Sequence, residues 1–103
     1  MGRSIAKIGY IMIDLAYFGK QHVVANKQNK YFLCGVDILT GKLACVPTVS
    51  KTRKSWEYAI MQMIKNSYEY IAHIISDRDA AVVSKQFRRR LKLEYGIGWS
   101  FLM

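Results

Sequence analysis

Apolar residues along this chain gather into discrete stretches separated by polar, turn-forming segments. The stretch from Ile5 to Phe18, IAKIGYIMIDLAYF, is apolar, β-branched and aromatic, which predicts a central strand buried on both faces. Gly19 to Lys30 is polar and loop-like. Two further apolar runs follow, Tyr31 to Leu39 and Leu43 to Val49, and Thr40-Gly41-Lys42 between them predicts a β-hairpin. Pro47 has no N–H to give to a ladder, so the second strand of that hairpin belongs at a sheet edge. After Ser50 the period changes. Trp56, Ala59, Ile60, Met63 and Ile64 recur at helical spacing, Thr52 is placed as the N-cap, and Lys65-Asn66-Ser67 ends the helix. The methionines of this helix read as core filler.

A short apolar run, Ile71, Ala72, Ile74 and Ile75, stops at Ser76-Asp77-Arg78-Asp79, which predicts a buried strand over 70–76 feeding a helix. That helix, Ala81 to Glu94, carries Val83, Phe87 and Leu91 on one face, with Gly96 as its C-cap. Ile97 to Met103 begins a last strand. The order is β-β-β-α-β-α-β, an α/β fold. A three-strand antiparallel meander is expected first, then parallel strands joined by right-handed crossovers, in one mixed sheet with helices packed on it. No internal repeat, linker or low-complexity tract interrupts residues 1–103, which are expected to form a single domain around one core.

Two carboxylates change this picture. Asp14 sits inside the most apolar run. Burying an unpaired carboxylate costs free energy on the order of the whole stability margin. Asp14 is therefore expected to be paired, hydrogen-bonded or bound to a cation, a structural salt bridge being the plainer alternative. Asp77 falls at the carboxyl end of a strand, where open α/β sheets place ligands. The rival reading is that Asp77 or Asp79 caps the following helix. Asp37, inside another apolar run, reads as structural or solvent-facing.

Sixteen Lys and Arg stand against seven Asp and Glu, a formal charge of +9, which favours a polyanionic partner, nucleic acid first. Lys51, Arg53 and Lys54 lie at the start of the first helix, whose dipole also favours phosphate, and are the nucleic-acid-binding candidates. Arg88, Arg89, Arg90 and Lys92 lie on the second helix. At about 100° per residue three consecutive arginines cannot all face one ligand, so a solvated helix face explains them equally well. Cys34 and Cys45 form no C-x-x-C and read as buried, reduced thiols, with a disulfide across the hairpin as the alternative. His22 and His73 lack metal-ligand spacing, and His73 reads as a packed strand residue. No apolar run has the length of a membrane span. Asp14 interrupts what would be a signal-peptide core, and Ala6 stands where myristoylation wants Ser or Thr. The expectation is an intracellular protein.

Three pieces taken together resemble the catalytic core of retroviral-type integrases, as found in retrotransposons and self-synthesising DNA transposons. They are IDLAYFG around Asp14, KYFLCGVDILTGKLACVPTVSKT from Lys30 to Thr52, and SDRDAAVVSKQFRRRLKLEYGI from Ser76 to Ile97. They run in family order over nearly the whole chain. The resemblance implies an RNase H-like, mixed five-stranded sheet whose first and fourth strands are parallel neighbours. It makes Asp14 and Asp77 the first two acids of an Asp-Asp-Glu triad, catalytic and metal-binding, holding Mg²⁺ or Mn²⁺ for phosphodiester cleavage and strand transfer on DNA. It places the protein in the nucleus and leaves room for a homodimer.

The sequence also departs from the family. The third acid, a Glu on a helix beyond the strand that opens at Ile97, has no counterpart, and Glu94 belongs to the preceding helix. Asp79 stands where Gly is usual, and Ala81-Val82 replace Glu-Phe. The resemblance therefore implies a core incomplete at its C-terminus, a mobile-element fragment impaired as a polynucleotidyl transferase. A non-catalytic nucleic-acid-binding or dimerisation module that keeps the fold is the alternative, and a nuclease cutting RNA in hybrids is a third reading without separate support.

Overall fold

The computed structural model describes residues 8–17, 31–48, 50, 52–77 and 83–102. The elements run β1 (Tyr10–Tyr17), β2 (Tyr31–Asp37), β3 (Leu43–Thr48), α1 (Arg53–Asn66), β4 (His73–Ser76), α2 (Lys85–Tyr95) and β5 (Gly98–Phe101). The five strands form one sheet in the order β3-β2-β1-β4-β5. β1, β2 and β3 make an antiparallel meander, while β4 lies parallel to β1 and β5 parallel to β4. β3 is an edge strand, as Pro47 requires. β1 is shorter than its apolar run: Ile8 and Gly9 form a turn, and the Gly9 carbonyl accepts the N–H groups of Ala72 and His73 at 2.8 and 3.2 Å.

Local chemistry sets the element ends. Asp37 is structural, as expected: its carboxylate accepts the N–H groups of Leu39 at 2.9 Å and Thr40 at 3.1 Å and so shapes the β2–β3 turn. Gly41, at φ +78°, completes that turn. Thr52 caps α1 by accepting the Ser55 N–H at 3.3 Å. The cap of α2 is Ser84, which accepts the Phe87 N–H at 3.1 Å, so Asp77 does not cap this helix. Asp79 lies outside the described residues. Glu57 of α1 accepts the Ser84 N–H at 2.9 Å and ties the two helices together where α2 begins. Gly96 closes α2 at φ +69°.

The core lies on one side of the sheet. Ile11, Ile13, Leu33 and Ile74 face Trp56, Ala59, Ile60 and Met63 of α1 and Phe87 and Leu91 of α2. Period-two alternation sends their strand neighbours Met12, Asp14, Cys34, Val36 and Ile75 to the opposite face. Among the described residues no helix covers that face. The expectation that β1 is buried on both faces is therefore wrong: Ile11 and Ile13 are buried, but Asp14 is exposed. The apolar run overstated burial because Met12, half-buried on the open face, is as apolar as the core residues beside it.

The cysteines also depart from expectation. The hairpin register sets Cys34 directly opposite Cys45, with Cα atoms 4.1 Å apart, and the two are joined in a disulfide. Both belong to the uncovered face, where Cys34 is half-buried and Cys45 exposed.

Candidate metal and nucleic-acid site

β1 and β4 pair in parallel from Tyr10↔His73 to Ile13↔Ser76. One step further in that register come Asp14 and Asp77. Residues paired this way point to the same face of a sheet, and neighbouring strands lie about 4.8 Å apart. Both aspartates are exposed, and both line one open cleft of about 290 Å³ together with Cys34, Val36, Leu43 and Leu102.

What holds Asp77 in place is the residue before it. Ser76 is fully buried, its Oγ accepts the Trp99 indole N–H at 2.9 Å, and its carbonyl accepts the Leu102 N–H at 2.8 Å. Asp77 thus leaves the sheet from a point fixed by side chain and backbone alike. Asp14 sits within β1, opposite Cys34 on β2. The physical reason given for Asp14 from the sequence, the cost of burying its charge, does not operate, because the residue is exposed.

Mg²⁺ and Mn²⁺ suit the donors present. Both ions take oxygen ligands, and Mg²⁺ is commonly held by one or two carboxylates with water completing the octahedron. Two carboxylates lining one open cleft, Asp14 within β1 and Asp77 just past β4, are donors of that kind. Among the described residues no group of three or more His, Cys, Asp or Glu is gathered to hold a metal ion. Glu94 is exposed on α2, pairs with Arg90 at 3.5 Å and is not among the residues that line the cleft.

The basic candidates divide. Arg53 and Lys54 are exposed in the first turn of α1, which carries no acidic residue. β3 runs in the same direction as β1, so the chain enters α1 at the end of the sheet where Asp14 and Asp77 lie. Lys51 lies outside the described residues. The arginines of α2 fan out as helical geometry demands. Arg88 is half-buried with its guanidinium 5.0 Å from the Phe101 ring centre, Arg90 engages Glu94, and Arg89 is exposed.

His73 makes a separate polar group on the uncovered face. It stacks on Tyr10 with ring centroids 4.9 Å apart, and its Nε2 lies 2.6 Å from Ser100 Oγ. Burial, and then repulsion from Lys92, hold its pKa below the usual value. His73 stands four residues before Asp77, roughly 13 Å along the strand, and takes no part in the cleft. Cys34 is the cleft residue that sequence reasoning missed as part of the site. Only the register of β2 with both β1 and β3 puts it between Asp14 and Cys45.

No family model matches the chain, and no curated protein sequence matches it. Solved structures do. The catalytic core domain of BIV integrase superposes with a TM-score of 0.71 at 15% identity, over 94% of this chain and 56% of that one. The HTLV-2 integrase catalytic core domain in complex with magnesium, a dimeric form, gives 0.69 at 20% identity, over 89% of this chain and 58% of that one. The simian T-cell lymphotropic virus intasome with the PP2A regulatory subunit B56 gamma gives 0.69 at 14% identity, over 91% and 34%. The chain thus has the RNase H-like fold of retroviral integrase catalytic cores, and it spans between a third and three fifths of the length of these matched chains.

Proposed function

We propose that this chain is an integrase-core-like domain of a mobile element that binds DNA and holds Mg²⁺ or Mn²⁺ between Asp14 and Asp77. The observation that carries the reading is that these two aspartates, distant in sequence, line one cleft, Asp14 within β1 and Asp77 one residue past the end of the parallel strand β4. When bound, such a cation supplies Lewis-acid activation and charge neutralisation at a phosphodiester. The chain's own share is to hold one oxygen donor within β1 and a second just past β4, with Ser76 and Trp99 fixing the point from which Asp77 leaves the sheet. Arg53 and Lys54, with Lys51 before them, would bind phosphate at the same end of the sheet, giving affinity without sequence choice. Work on DNA would place the protein in the nucleus, and a homodimer is proposed because the HTLV-2 neighbour is described as dimeric.

A second reading, a DNA-binding module that keeps the fold without the chemistry, draws on the formal charge of +9 and on the exposed Arg53 and Lys54 at the start of α1. Titration of Mn²⁺ against thermal stability tests the metal site. A rise in Tm for the wild type that disappears in both Asp14→Asn and Asp77→Asn supports a shared site. No rise in the wild type discards metal binding and leaves the module, which DNA binding without cleavage would then identify.

A further inference from the structure

A row of donor side chains crosses the uncovered face at the height of the cleft. Cys45 of β3 is paired with Cys34 of β2 and Cys34 with Asp14 of β1, while Asp77 lies one residue past the end of β4. Paired residues project to the same face, so both sulfurs and the Asp14 carboxylate lie on one side of three adjacent strands. Cys34, Asp14 and Asp77 line the same cleft, and Cys45 at its flank is exposed. With the disulfide formed neither sulfur is a ligand, and among the described residues no group of three metal-ligating side chains is gathered.

We infer that reduction of the Cys34–Cys45 disulfide opens a site for a thiophilic divalent cation such as Zn²⁺, held by both thiolates and the Asp14 carboxylate. The donor chemistry selects the ion. Zn²⁺ takes sulfur at about 2.3 Å and carboxylate oxygen at about 2.0 Å in tetrahedral geometry, and thiolates favour it over Mg²⁺ or Mn²⁺. Three protein donors leave the fourth position for water or Asp77, which makes an open site. The steps balance. A dithiol reductant gives two electrons and two protons, the S–S bond breaks, two S–H bonds form, and the reductant leaves as its own disulfide. Cation binding then releases the two thiol protons to solvent. The inference rests on the sheet register and stands apart from the reading of the chain as a DNA-acting protein, although the two share Asp14.

Cadmium reports on such a site, because sulfur-to-cadmium charge transfer absorbs in the ultraviolet. The chain is reduced with a dithiol, freed of it anaerobically, and titrated with Cd²⁺ beside the oxidised chain. One cation per reduced chain with the thiolate band, and no band in the oxidised chain, is the expected result. Asp14→Asn should weaken Cd²⁺ binding on the order of tenfold or more while keeping the band, and Cys45→Ser should abolish tight binding. A reduced wild type without the band, or an Asp14→Asn chain that binds as tightly as wild type, overturns the inference. Cys45→Ser should leave the Mn²⁺ response untouched, so failure here and failure of the Mg²⁺/Mn²⁺ reading give different results.

Discussion

Trp99 donates its indole N–H to Oγ of Ser76 at 2.9 Å, joining β5 to the last residue of β4. Ser76 is fully buried and Trp99 half-buried, so water competes poorly at the serine end. A buried polar atom left unpaired costs about 1–3 kcal/mol. Trp99→Phe and Ser76→Ala are each expected to lower stability by about 1–2 kcal/mol, and the double variant by less than their sum. Urea midpoints, with slopes unchanged from wild type, measure this. Additive losses would show that the bond contributes no coupling.

Much of this architecture is legible in the residue pattern. Pro47 marks an edge, Thr52 marks the start of α1, and the spacing of Val83, Phe87 and Leu91 marks the buried side of α2. The end of β4 at Ser76 is legible because the apolar run stops abruptly before Asp77. What the pattern hid was the sidedness of the sheet. Met12, Val36 and Ile75 are apolar yet sit on the face that no helix covers among the described residues, so strand alternation is blurred and Asp14 reads as buried. The beginning of α2 was hidden too, since Ala80-Ala81-Val82-Val83 gives no period and Ser84 alone marks the cap. The disulfide required the hairpin register, and register depends on the length of the loop over 38–42, which composition does not set.

His73 predicts a pH dependence. Around its ring stand Tyr10, Ser100 and Gly98, with Lys92 of α2 the nearby charge. Burial first, and Lys92 second, depress its pKa, so the folded chain takes up a proton less readily than the unfolded one. The stability this gives is complete above the unfolded value of about 6.5 and drains away as pH falls through that value towards the lower folded one. Wild type should lose more Tm between about pH 7.5 and about pH 5 than His73→Gln, whose amide can still reach Ser100. Parallel pH profiles for the two chains would show that His73 contributes nothing to acid sensitivity.

The last prediction concerns the basic residues at the start of α1. Each phosphate neutralised by Lys or Arg on duplex DNA contributes about 0.9 to the slope of log K against log salt. Arg53 and Lys54 are exposed, stand at the helix end whose dipole attracts anions, and lie at the end of the sheet that carries Asp14 and Asp77. Arg90 is occupied by Glu94, and Arg88 lies over Phe101. The double variant Arg53→Gln, Lys54→Gln should therefore weaken duplex binding at low salt and lower the slope by roughly 1 to 2. Arg90→Gln should change the slope little. Fluorescence anisotropy across a salt series separates the cases, because a docking surface on α2 would reverse the order of the two effects. A chain whose slope is indifferent to all three changes would bind DNA elsewhere or not at all.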